Sequence, residues 1–324
     1  KATGILMGTI RFGALDNLKF LSAILIISMH VHNLGMESIY SYSLVNGLFR
    51  YAVPFFFIVN GYFLITSIEK SGFYTWVKRV IILYTLWMII YLPIYYKQFD
   101  IHTSTGKLDL AITMLLGFHH LWYLVAMFVG GVLLFLTRKS NMNVMLAISF
   151  ALIICGVLIQ YYLKIHGKQL TQDRYILINL YRNFLFMGFP FMFIGHYLRT
   201  QKIEINQKIA ISIAALSAFC VIFESIYYYS IGDILPIDTL FSVSILAPAL
   251  FLIAKNINIK KSVKSMSTIA TAVYLTHPFI IKIVSSDRFG ISESMYTIFL
   301  LSSVFSILLA IILSKMNKKF KYLL

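Results

Sequence analysis

Residues 14–34 read ALDNLKFLSAILIISMHVHNL. An apolar run of this length is what a helix needs to cross the roughly 30 Å hydrocarbon core of a bilayer. Yet it carries Asp16, Lys19, His30 and His32. Ionisable groups at membrane depth are costly to hold, so each one retained there is a functional hypothesis. Lys19 and His30 are eleven residues apart, about three helical turns, and so share one face roughly 16 Å apart along the axis. Asp16, three residues before Lys19, lies on that face too. Two readings stay open for the stripe. Either Lys19 snorkels to the nearer surface and His30 is a hydrogen-bonded core histidine, or the stripe lines a site. His32 lies nearer the surface and reads as structural.

The rest of the chain is built in the same way. Of 324 residues 59% are hydrophobic and only 12% charged, about half the charged share of a soluble domain. Mean hydropathy is +0.81. Ten segments are expected to span, at about 14–34, 47–68, 78–97, 120–137, 143–163, 178–198, 207–228, 236–255, 266–286 and 294–315. A further apolar run, Leu108 to Phe118, is too short to cross and reads as a re-entrant or interfacial helix. The expected fold class is therefore an all-α integral membrane protein, a single transmembrane domain over 1–324 with no appended soluble domain.

The net charge of +16 does not point to nucleic acid, because the basic residues sit in short groups between apolar runs. With a cytoplasmic N-terminus, the inward segments hold 18 of the 28 Lys and Arg residues and the outward ones 8. The positive-inside rule then places both termini in the cytoplasm. Thr200–Asn206 is expected to face inward and Gly232–Leu235 outward. Cys155 and Cys220 lie inside apolar runs and offer neither a disulfide framework nor metal spacing. The first apolar run reads as a retained span rather than a cleaved signal.

Two more spans bring histidine to the depth of His30. His119 and His120 open the fourth in GFHHLWYLVAMF, and His277 lies in the outer half of the ninth in TAVYLTHPFII. Imidazole titrates near neutrality and can take a proton from a hydroxyl and return it to a leaving group. A tri-histidine metal site competes with that reading, although no single helix carries paired metal spacing. His196, beside Tyr197 and Arg199, reads as interfacial.

Four motifs in order give the chain a resemblance. The first is Leu15-Asp16 followed by Lys19 and His30. The second is Val53-Pro54-Phe55-Phe56-Phe57 through Gly61-Tyr62. The third is His120-Leu121-Trp122-Tyr123-Leu124, and the fourth Tyr274-Leu275-Thr276-His277-Pro278. Together they resemble the membrane-bound acyltransferase family 3, which includes O-acetyltransferases of surface polysaccharides. Two positions depart from its pattern. Arg79 fits the second of two arginines at the start of the third span, but Trp76 stands in place of the first, with Lys78 the nearest extra cation. Asn60 stands where serine is common.

The resemblance implies ten spans and an acyl-CoA donor, usually acetyl-CoA, with no metal. The donor phosphates would meet Lys19, Lys78 and Arg79, with Asp16 beside them. His30 would act as general base or carry the acyl group, and His120 and His277 would orient the acceptor or polarise the thioester. Tyr62 and Tyr123 would donate to a developing oxyanion, and Trp122 and Arg50 would face the acceptor. For Arg50, anchoring to lipid headgroups is the competing account. The implied acceptor is a glycan or lipid-linked sugar outside the bacterial inner membrane. A transport or partner domain of the same superfamily, moving a small substrate, remains the alternative.

Overall fold

The computed structural model describes residues 12–31, 34–69, 72–170, 174–231, 237–259, 265–286, 294–320 and 322–324. All regular structure among them is helical: α1 (Gly13–His30), α2 (Ile39–Tyr42), α3 (Ala52–Glu69), α4 (Phe73–Tyr95), α5 (Ser104–Leu116), α6 (Trp122–Thr137), α7 (Met142–Leu170), α8 (Arg174–Tyr181), α9 (Phe189–Thr200), α10 (Gln207–Ser230), α11 (Val243–Asn256), α12 (Met266–Val284) and α13 (Met295–Met316). His32, the outward loop at Gly232–Leu235, and Lys1, Arg11, Lys70, Lys260, Lys261, Lys264, Arg288 and Lys321 lie outside the described residues.

Eight helical stretches among the described residues are long and apolar enough to cross a membrane. They are Ile39–Ile68, Phe73–Gln98, His119–Thr137, Met142–Gly167, Ile176–Thr200, Gln207–Ser230, Met266–Val284 and Met295–Met316. The chain is thus a multi-pass helical protein. The other two expected segments are helical but differ. α1 is long enough, with 18 residues, but Asp16, Lys19 and His30 dilute its apolar character. α11 has only 14 residues. The short run expected at Leu108–Phe118 is α5, which begins four residues earlier under a Thr103 cap and stops at Gly117, φ 94°. A positive φ at that stop is one that glycine takes without strain.

The helices form an inner set and an outer set. In the most apolar windows of α7 and α13 only 22% of residues are buried, against 67% in Ile39–Ile68. Leu158, Phe219 and Leu300 point away from the protein, as lipid-facing residues do. The inward faces of the outer helices carry small residues: Ser302, Ser303 and Ser306 on α13, and Ser217 and Ser225 on α10 are buried. Small side chains let membrane helices approach closely. The closest approach is at the centre, between α3 and α9. A Cβ on Gly61 would lie 1.9 Å from the Met192 carbonyl oxygen, and one on Gly195 2.0 Å from that of Ile58.

α1 packs along α12, and the two run parallel. Lys19 Nζ donates to Ser267 Oγ near the start of both helices, and His30 meets His277 toward their far ends. Besides the 3-10 turns at Tyr96–Gln98 and His119–Leu121, three segments depart from α-helix and meet through Arg50, Arg182 and Asp238. Ser43–Gly47 is π-helical and Leu48–Tyr51 is 3-10. The stretch Ile176–Thr200 breaks at Arg182–Asn183 and resumes as a π-helix over Phe184–Gly188. Residues 237–242 are not helical. Such irregularities recur at functional sites.

Candidate active site

Four histidines from three chain segments meet where α1 ends. The His30 ring centroid lies 4.7 Å from that of His119 and 5.0 Å from that of His277. His120 lies 5.2 Å from His277 and 5.9 Å from His119. Exposure grades across the group: His277 and His120 are buried, His30 is half-buried and His119 is exposed. The cluster is therefore open on the His119 side. His119 itself has φ +50°, a conformation uncommon outside glycine and a marker of local constraint.

The YLTHP sequence explains how His277 is held. Pro278 has no N–H, so the carbonyl of Tyr274, four residues earlier, loses its helical donor. His277 Nδ1 takes its place at 2.7 Å. A carbonyl only accepts, so Nδ1 carries the proton and Nε2 keeps a lone pair. That Nε2 is buried with no partner among the described residues, as are both ring nitrogens of His120. Leaving a buried polar atom unpaired costs about 1–3 kcal/mol, a cost that a ligand in the cluster would relieve. The Tyr274 hydroxyl donates to the His120 carbonyl, and that of Tyr91 to the Leu275 carbonyl at 2.8 Å. The first bond ties the His120 turn to α12, and the second ties α4 to α12.

A cavity of about 340 Å³ lies on the Lys19 side of this cluster, and none of the four histidines is among its lining residues. Lys19, Trp76, Arg79 and Thr271 line it, and so do Asn60, Tyr123, Tyr274 and Leu275. It thus runs from the Lys19 level of α1 and α12 to within one helical turn of His277. Two cations stand at one end and tyrosines next to imidazoles at the other. The Asn60 amide donates to the Tyr123 hydroxyl at 2.6 Å.

The model of a sequence family described as an acyltransferase domain, acyltransferase family 3, matches residues 12–315. The chain belongs to this acyltransferase family. Among curated proteins it is 26% identical over 332 aligned positions to an amino-acid racemase of Enterococcus faecalis, covering 96% of this chain and 47% of the relative. A second E. faecalis amino-acid racemase is 27% identical, covering 65% of this chain and 31% of the relative. A serine/alanine racemase of Enterococcus gallinarum is 28% identical, covering 37% and 19%. The chain spans about half the length, or less, of the curated relatives it matches. No solved structure matches it.

The acyltransferase fold gathers some of the residues singled out from sequence and scatters others. His30, His120 and His277 come together, and Lys19 and Arg79 share the cavity. Asp16 is close enough to Lys19 for the two charges to interact. Lys78 is exposed on α4 and does not line the cavity; Trp76 does, and it packs over Gly131. Tyr123 lines the cavity, but Tyr62 lies elsewhere, accepting from Arg199 at 3.2 Å. Trp122 lines a second cavity of about 220 Å³ with Arg182 and Asn179. Arg50 lies outside the histidine group, 3.3 Å from Asp238. His196 is 2% exposed, a core residue and not an interfacial one. Among the described residues, no group of three or more His, Cys, Asp or Glu is arranged to hold a metal ion.

Four participants escaped the sequence reading of the site. His119 stood beside the favoured His120, and Asn60 was noted only as a departure from serine. Arg182 was counted as an outward charge. Asp238 carried no signal beyond being an acid at the edge of an apolar run.

Proposed function

We propose that this protein transfers an acyl group, acetyl in the first instance, from cytoplasmic acyl-CoA to a hydroxyl of a glycan or lipid-linked sugar at the outer face of the inner membrane. The observation that carries the reading is the cavity that holds Lys19 and Arg79 and reaches Tyr274, whose ring packs against His120 and His277. Lys19 and Arg79 would hold the anionic phosphates of the donor, a role suited to their charge and donor count. The cavity is sized for the narrow arm of such a donor, with its bulk left at the mouth. His30, half-buried and beside the open side, would take the proton of the acceptor hydroxyl as its oxygen attacks the thioester carbonyl. The imidazolium would return that proton to the departing thiolate, leaving an ester and free thiol. Tyr123, whose hydroxyl accepts from Asn60 and keeps its own hydrogen, would stabilise the oxyanion that develops. His277, with its tautomer fixed, and His120 would orient the reacting groups.

The orientation rests on the basic inner segments. A ten-span count is supported by the parallel course of α1 and α12. Six long stretches separate them from Ile39 to Ser230, and a parallel pair requires an odd number of crossings. Counting α11 as a crossing supplies the seventh and leaves both termini on one side.

A second reading is favoured by the racemases. Their names, and the chain's match to about half of one, suit a membrane part that moves an amino acid for a partner domain. Radiolabelled acetyl-CoA supplied to inside-out membrane vesicles separates the two. Label appearing in esterified glycan supports acyl transfer. Serine or alanine uptake without transfer of label supports the carrier.

A further inference from the structure

The three irregular segments converge on a group of charges. Arg50, from the 3-10 turn after the first π-helix, approaches Asp238 at 3.3 Å and donates to Asn46. Arg182, at the break before the second π-helix, lies 3.8 Å from the same Asp238 and 5.3 Å over the ring of Trp122. One carboxylate thus serves two guanidiniums, with side chains 9%, 11% and 16% exposed respectively for Asp238, Arg50 and Arg182. Taking charges out of water is repaid only by good pairing, and this group carries an excess of one cation. Arg50 Nε and Arg182 Nε have no hydrogen-bond partner among the described residues.

Arg182 also lines the second cavity, between Trp122, Asn179 and Asn183. Trp122 directly follows the His119–Leu121 turn, so this cavity adjoins the cluster on its His119 side. A guanidinium with an unpaired Nε–H beside an indole, in a cavity also lined by Asn179 and Asn183, is a place for a planar or tetrahedral oxyanion.

We propose that Arg182, sharing Asp238 with Arg50, forms an anion subsite in which a negatively charged sugar docks its carboxylate or phosphate, setting a hydroxyl of the same sugar against His30. The inference deepens the acyl-transfer reading and rests on it for the role of the hydroxyl. It narrows the acceptor from glycans in general to acidic or phosphorylated ones.

The test is binding to the purified full chain in lipid nanodiscs, with D-glucuronate, glucose 1-phosphate and glucose as probes. At least one anionic sugar should bind where glucose does not, and Arg182→Gln should weaken it at least about tenfold, as expected for a lost charge-assisted hydrogen bond. Binding of glucuronate alone assigns a carboxylate; binding of glucose 1-phosphate alone assigns a phosphate. Arg182→Lys keeps the charge that faces Asp238 and should show an intermediate loss even if Arg182→Gln does not fold. Equal binding of all three sugars, or unchanged affinity in either variant, overturns the subsite. Acetyl transfer assayed on the same preparation separates the two failures. Transfer without discrimination among the sugars removes the subsite alone; selective binding without transfer removes the acyl-transfer reading.

Discussion

His30 and His277 meet across two parallel helices, their ring centroids 5.0 Å apart. The same helices are pinned near their starts by the bond from Lys19 to Ser267. α1 and α12 therefore form one track, cationic at one end and imidazole-rich at the other, with the larger cavity alongside. Their alignment sets the basic residue and the histidine of the first motif along one track.

The Pro278 argument gives the first prediction. Pro278→Ala restores an N–H that competes for the Tyr274 carbonyl and frees His277 Nδ1. Turnover should fall on the order of tenfold, short of the 10²–10⁴ expected of a proton-transfer residue, with donor affinity unchanged. Steady-state kinetics of the variant check this, and wild-type turnover would show that the tautomer of His277 is immaterial.

The cationic end is tested by binding. Lys19→Ala should weaken acetyl-CoA binding while the protein stays folded in the membrane, and Lys19→Arg should be milder because it keeps the charge. Calorimetry on purified protein reads both. Equal donor affinity in wild type and Lys19→Ala removes Lys19 from the donor site.

Orientation can be read with cysteines. Cys155 and Cys220 are exposed and are replaced first. An impermeant thiol reagent should then label Thr103→Cys in intact cells and spare Gln201→Cys. The reverse pattern inverts the membrane sidedness on which the donor and acceptor assignments depend.

Packing at the centre gives a stability prediction. A methyl at Gly195 has no flexible side chain to displace, because its nearest neighbour is the Ile58 carbonyl oxygen. Gly195→Ala should cost about 1–3 kcal/mol or more, seen as a lower unfolding midpoint in detergent. An unchanged midpoint would mean that α3 and α9 do not touch there.

Much of this was legible in the sequence because length and hydropathy are the bilayer's own criteria for a helix. The eight long stretches fall where apolar runs do, and three of the four motifs bring His30, His120 and His277 together, with Lys19 on the same helix as His30. Other features were not legible. The break at Arg182–Asn183 sits in a stretch that is apolar on both sides, and nothing local marks it as interrupted. In the sequence Arg182 is therefore only one more outward basic residue, near the start of the sixth expected span. Its partners Arg50 and Asp238 are 132 and 56 residues away in sequence, so only tertiary folding brings them together. Tyr62 misled in the opposite way: it completes a motif, but its hydroxyl faces Arg199.

The central claim is that His30 moves the proton. A structural histidine should tolerate a hydrogen-bonding amide, whereas a base should not, since neither Asn nor Gln shuttles a proton near neutral pH. The decisive measurement is acetyl-transfer turnover of purified His30→Gln, with His30→Asn beside it and acetyl-CoA binding as the control for folding. The account predicts a loss of at least about a hundredfold with donor binding intact. Turnover within a few-fold of wild type would contradict it.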